Sequence, residues 1–293
     1  MISQKKIIND FNGSGKSIVV PHTAELTGGY EVNISKYSGL VSVIKRRNSK
    51  KIANEWSQKI FSKKFTKSTY TAKVPAVIAR QTYVLETLLS QLPVRKKSLC
   101  DLGAGEGDFL NMLKKKKIVN SLFAVEPSSI NSKLLAKNKI KNFCGTIEEF
   151  VAKKNVKQFD ILTMMWTLCN TSSCMDVIKA ANDMCKKNGH ILIAESSRML
   201  VPYKKPIQMY FAKGNPDIHS FHFSKNSLCN LLILNKFKPV YINRYIDSDV
   251  LIVIAKKTDN VEKKELKIDD YKKVKSFFSN WYTDSKKYKD ELI

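Results

Sequence analysis

Arginine is scarce in this chain. Arg46, Arg47, Arg80, Arg95, Arg198 and Arg244 are its only arginines, although Lys and Arg total 51 against 26 acidic residues, a formal net charge of +25. Bidentate readers of phosphates and base edges favour arginine's planar fork. A basic surface does concentrate polyanions, but here nearly all the positive charge is lysine spread from end to end, which makes nucleic acid the less favoured partner. Long apolar runs are missing too. No stretch approaches the roughly 18 uncharged apolar residues that cross a bilayer, so no membrane insertion is expected. The opening residues show no apolar run ahead of a small-residue cleavage site, and the expectation is a cytoplasmic protein. Cys100, Cys144, Cys169, Cys174, Cys185 and Cys229 form no Cys-x-x-Cys pair. That excludes the usual zinc cluster and disulfide frame and leaves reduced core thiols.

A phosphate-binding loop is also lacking. Residues 11–17 read Phe-Asn-Gly-Ser-Gly-Lys-Ser, but the first glycine of Gly-x-x-x-x-Gly-Lys-Ser falls on Asp10 and no apolar strand precedes it. An ATPase is excluded on that ground.

What is present is an alternation of β-rich and helical runs between residues 98 and 257, the pattern of a parallel sheet covered by helices on both faces. Strands are expected at 98–102, 122–126, 141–144, 159–165, 190–195, 239–245 and 250–255, with helices near 107–116, 130–137, 147–153, 173–187 and 226–235. The fold class is therefore α/β, Rossmann-like, with a mostly parallel seven-stranded sheet. Residues 1–95 form an N-terminal lead-in, irregular to about residue 40 and helical over 44–61 and 75–92. Residues 96–257 form the main domain, with a Pro- and aromatic-rich cap insertion at 196–224. Residues 258–293 are a lysine-rich tail whose Tyr271, Val274, Phe277, Phe278 and Trp281 make an apolar stripe at helical spacing, expected to pack on the body.

The chemistry lies in the turn after the first of these strands. Lys97-Ser98-Leu99-Cys100-Asp101-Leu102 leads into Gly103-Ala104-Gly105-Glu106-Gly107 and then a helical start. Glycines let a ligand lie against bare backbone, and a helix N-terminus offers unpaired N–H groups. A dinucleotide fingerprint counted from Gly103 needs its third small residue at position 108, which is Asp108. Asp101 and Glu106 would also repel a pyrophosphate. They suit a cation such as S-adenosylmethionine, with its sulfonium and ammonium. Glu126 ends the second strand, where a ribose-binding carboxylate belongs.

On these residues the sequence resembles the class I S-adenosylmethionine-dependent methyltransferases from Lys97 to Lys257. The family's first motif matches Asp101 to Gly107, including Gly103, Ala104 and Gly105, and its second acidic position matches Glu126. The resemblance implies adenine near Gly145, Thr146 and Ile147. Residues 166–170, Trp-Thr-Leu-Cys-Asn, look like the family's Leu-Glu-His segment with Cys169 and Asn170 in place of its last two residues, so a histidine role there does not carry over. The run from His219 through His222 to Leu232 resembles small-molecule methyltransferases, including those acting on nucleotide-linked sugars. It implies a substrate cap from residues 203–223, with a second wall around Tyr70 and Arg80.

Methyl transfer to oxygen or carbon needs a proton acceptor, and His219 and His222 are the candidates in the cap. Only Asp217 lies near them, so no metal site is expected. Glu195, at the end of the fifth strand, is placed to meet substrate hydroxyls, and Trp166 to form an aromatic wall. The leading expectation is transfer to a small polar metabolite, possibly a nucleotide-linked or surface-polysaccharide sugar. The rivals are an RNA or protein methyltransferase using the basic surface, with Lys63, Lys64, Lys67 and Lys114 to Lys117 on the active face, and a non-catalytic module that only binds the cofactor.

Overall fold

The computed structural model describes residues 3–20, 22–23, 31–44, 46–59, 75–153, 156–196, 199–203, 206–208, 219–247, 250–259 and 266–291. The chain opens with helix α1 (Gln4–Asn12), short strands β1 (Ser17–Val19), β2 (Val32–Ser35) and β3 (Val41–Val43), and helices α2 (Ser49–Lys59) and α3 (Pro75–Gln91). Pro75 fits the first turn of α3, where its missing N–H costs nothing. The alternating core follows as β4 (Ser98–Leu102), α4 (Asp108–Lys116), β5 (Ser121–Glu126), α5 (Ser129–Lys137), β6 (Lys141–Cys144), α6 (Ile147–Val151), β7 (Phe159–Met165), α7 (Cys174–Met184) and β8 (Cys185–Ser196). The chain closes with β9 (Phe221–His222), α8 (Lys225–Leu234), β10 (Phe237–Ile242), β11 (Val250–Lys257) and α9 (Tyr271–Glu291). Side-chain caps start the core helices where the sequence supplies them: Ser128 for α5, Thr146 with Glu149 for α6, and Ser224 with Ser227 for α8.

The main sheet runs β10-β11-β8-β7-β4-β5-β6, parallel from β8 to β6, with β11 antiparallel to both neighbours. Alternate residues of each strand enter opposite cores, as a period of two requires. Cys100, Leu102, Leu162, Met164, Ile191, Ile193, Leu251 and Val253 join α7 and α8 on one face. Leu99, Ile161, Leu192, Ala194, Ile252 and Ile254 join α3, α4 and α5 on the other. The helix expected over 173–187 ends at Met184. Cys185 takes extended backbone and pairs with Phe159, which starts β8 five residues ahead of the expected His190.

The lead-in, expected to be irregular to about residue 40, instead builds a second sheet. Its order is β1-β2-β3-β9, all antiparallel, and its last strand comes from the cap, with Val41 opposite His222. Val274, Phe278 and Trp281 of α9 are buried against Val32, Ile34, Val41 and Val43 of this sheet, so the tail stripe packs on the N-terminal strands. Asp269, just ahead of α9, accepts from Ser224 Oγ and from Asn226 Nδ2 (2.7 Å), and its N–H donates to Ser38 O (3.2 Å). All six cysteines are free; four are buried, whereas Cys144 is exposed. Among the described residues no helix is long and apolar enough to cross a membrane.

Candidate functional site

Strand order reverses at β4: the chain moves outward to β5 and β6, then returns to place β7 on the other side of β4. Ligands of open α/β sheets bind outside the carboxyl ends of strands at such a point. A cavity of about 330 Å³ lies there. Its floor includes Gly103 to Glu106, Glu126 to Ser128, Thr146 and Ile147, and Met165 to Thr167, and its walls include Ser49, Ile52 and Ala53 of α2 and Val77, Arg80 and Gln81 of α3.

The charge of this cavity is opposite to that of the molecule. Among the described residues, Glu106, Asp108, Glu126 and Glu148 line it against Arg80, in a chain of formal net charge +25. Asp101 lies beneath the loop, 0% exposed; its Oδ1 accepts from Thr163 Oγ1 at 2.7 Å, and its Oδ2 has no hydrogen-bond partner among the described residues. Burial pushes the Asp101 carboxyl up to about 7, against the Thr163 hydrogen bond and with help from the nearby Glu126 charge. Glu126 is likewise pushed up to about 7 by burial, although its Oε2 accepts from Gly105 N and its Oε1 from Ser128 N, both at 2.8 Å. Each oxygen keeps a second lone pair for a ligand hydroxyl. A Cβ built on Gly105 meets no atom within 4 Å, so the loop backbone is bare toward open space. The donor set, the buried acidic pair and the bare loop fit a cationic nucleoside such as S-adenosylmethionine.

Past β7 the backbone turns sharply. Trp166 has φ +52°, a left-handed conformation uncommon for a bulky residue and concentrated at functional sites, and its N–H donates to Ala194 O at 2.8 Å. A 3₁₀ turn over Leu168–Asn170 follows, and Glu195 Oε1 accepts from its Leu168 and Cys169 N–H groups at 2.8 and 3.3 Å. Asn170 Nδ2 donates to Trp166 O at 3.0 Å, and Asn170 Oδ1 lies 2.9 Å from His219 Nδ1. Asn170 and His219 both line the cavity, and His219 is 6% exposed.

The cavity gathers Gly103, Ala104, Gly105, Glu126, Thr146, Ile147, Trp166, Arg80 and His219 of the expected site residues. Asp101 and Gly107 are not among its lining: the first is buried beneath the loop, and a Cβ on the second would run into Leu135. Glu195, 1% exposed, holds the turn and does not line the cavity, because the carboxylate is drawn to two backbone N–H groups. His222 sits in β9 behind His219, their ring centroids 5.9 Å apart, and is likewise not in the lining. Tyr70 lies outside the described residues, as do Lys63, Lys64 and Lys67. Lys114 to Lys116 occupy the last turn of α4, the end opposite the glycine loop. Among the described residues no group of three or more His, Cys, Asp or Glu could hold a metal. Asn170 is expected from the sequence only as a departure from the family's segment, with no role in the site, and the α2 wall is not expected. The helical spacing of residues 44–61 marks a helix but not its position over the loop.

A family model described as a methyltransferase domain matches residues 77–241. Comparison with curated proteins gave no match. Among solved structures, a methyltransferase of Thermotoga maritima, described as a possible histamine N-methyltransferase, is 17% identical, with a TM-score of 0.51 over 71% of this chain and 100% of its own. The 1,6-didemethyltoxoflavin-N1-methyltransferase of Burkholderia thailandensis, holding its substrate and S-adenosylhomocysteine, is 14% identical, with a TM-score of 0.54 over 75% and 96%. The N-methyltransferase NodS of Bradyrhizobium japonicum, with S-adenosylhomocysteine, is 12% identical, with a TM-score of 0.51 over 71% and 99%. At such identities these structures speak for the fold. The family match spans more than half of the chain, from the wall helix α3 through every strand of the cavity floor, and on it the chain belongs to the methyltransferase domain family.

Proposed function

We propose that this chain transfers the methyl group of S-adenosylmethionine to a small polar metabolite, with a nucleotide-linked or surface-polysaccharide sugar as the first acceptor class to test. The observation that carries the reading is the acidic, bare-backbone cavity at the point where strand order reverses. S-adenosylmethionine supplies a methyl group on a positive sulfur, open to in-line attack. Glu126 holds ribose hydroxyls, Asp101 and Glu106 provide negative potential, and Thr146 and Ile147 border the base. Cover from α2 and α3 favours a small acceptor over a folded macromolecule, since the cavity is at the lower end of small-molecule sites. His219 is the candidate proton acceptor, with His222 behind it, and Trp166 and Arg80 flank the acceptor.

Calorimetric titration with S-adenosylmethionine and S-adenosylhomocysteine, with NADH and ATP as controls, tests the cofactor. Micromolar binding of the first two alone is expected. Binding of NADH or ATP, or of none of the four, would remove the basis for the reading. An acceptor screen with labelled methyl groups then begins with nucleotide sugars.

A further inference from the structure

Asn170 departs from the pattern the family resemblance implies at this turn, and its geometry assigns it a task. Its side chain is held at both ends: Nδ2 donates to Trp166 O at 3.0 Å, and Oδ1 meets His219 Nδ1 at 2.9 Å. The amide cannot be turned over, because that would set its oxygen against the Trp166 carbonyl oxygen. An amide oxygen only accepts, so the proton between Asn170 and His219 belongs to Nδ1. The turn that carries Asn170 is itself fixed, through Leu168 and Cys169, to the buried Glu195 carboxylate.

We propose that Asn170 is a positioning residue that sets His219 in the Nδ1–H tautomer and leaves Nε2 as the ring atom that takes the proton of the methyl acceptor. This rests on the methyltransferase reading above. As the acceptor heteroatom's lone pair forms its bond to the methyl carbon, the bond from that carbon to sulfur breaks and its electrons stay on sulfur. The heteroatom's proton passes to Nε2, and the imidazolium later returns it to water. A neutral amide suits this role. A carboxylate at position 170 would favour the imidazolium and leave the ring already protonated at neutral pH.

The test reads the tautomer in the full-length protein labelled with ¹⁵N-histidine, by long-range proton–nitrogen spectra. The four histidines, His22, His190, His219 and His222, are assigned with single His→Gln variants. In the wild type, His219 is expected to carry its proton on Nδ1 when neutral. Asn170→Ala should abolish that preference without changing the tautomers of His22 and His190, and Asn170→Asp should keep it while raising the His219 pKa by about one unit or more. An Nε2–H tautomer in the wild type, or an unchanged tautomer in Asn170→Ala, overturns the proposal. Should Asn170→Ala fail to fold, the wild-type spectrum alone decides. The spectra need no ligand, so failure here is distinct from a failure of S-adenosylmethionine to bind. With an acceptor from the screen, Asn170→Ala should lower kcat about tenfold or more at unchanged KM for S-adenosylmethionine; an unchanged kcat counts against the role.

Discussion

Asp101 and Glu126 retain protons up to about pH 7 in the ligand-free protein because burial disfavours their charged forms. A cation entering the cavity favours ionised carboxylates, so binding should release protons near neutral pH. Affinity for S-adenosylmethionine is then expected to fall as pH drops through about 7, by up to about tenfold per pH unit for each proton released. Titration in two buffers of different ionisation enthalpy measures that release, and equal apparent enthalpies would contradict it. Glu126→Gln and Asp101→Ala should each weaken binding at least tenfold, about 1.4 kcal/mol. Unchanged affinity in both folded variants would remove the site. These two carboxylates were legible because their order and spacing follow a strand-and-turn pattern. Asn170 was not, since its meaning depends on His219, which only the fold brings beside it.

In the loop joining β4 to α4, two glycines separate folding from binding. Gly107 has φ +83°, and a Cβ there would come within 2.4 Å of Leu135 Cδ2, a side chain with no exposed surface. Gly107→Ala should destabilise the protein by about 2–4 kcal/mol, from backbone strain plus overpacking. Gly105 has φ +56° but faces open space. Gly105→Ala should cost only about 1–2 kcal/mol and yet block the ligand's approach to the backbone. Chemical denaturation and calorimetry on the two variants check this contrast; equal losses of stability would sink it. The parallel strands were readable as apolar runs of even spacing, and the glycine turn as their interruption. The small sheet was not, because its strands are three or four residues long at most and β3 finds its partner β9 far along the chain. Period-two patterning needs more residues than that to stand out.

Across the whole molecule, the raised carboxyls tie stability to pH. Asp10, Asp101, Asp108 and Glu126 all sit above their ordinary range because of burial, so the folded chain holds protons that the unfolded chain has released. Their contribution is full below about pH 4 and is lost as pH rises, for Asp101 and Glu126 through about 7, a negative slope of stability with pH. Thermal unfolding of the ligand-free protein over that range checks the sign. The double variant Asp101→Asn, Glu126→Gln should flatten the slope, and an unaltered slope would place its origin elsewhere. The N-terminal strands, meanwhile, are covered by Val274, Phe278 and Trp281, nearly a full chain length away. Such distant contacts form late, since loop closure precedes any reward from burial. On the ribosome, β2 and β3 emerge early but find their cover only when α9 has been made, and β3 leads directly into the α2 wall of the cavity. The main sheet, built from strands between residues 98 and 257, has all its partners before α9 is made, whereas Val32, Ile34, Val41 and Val43 wait for it, so the tail completes the N-terminal sheet after the cofactor floor is already in place.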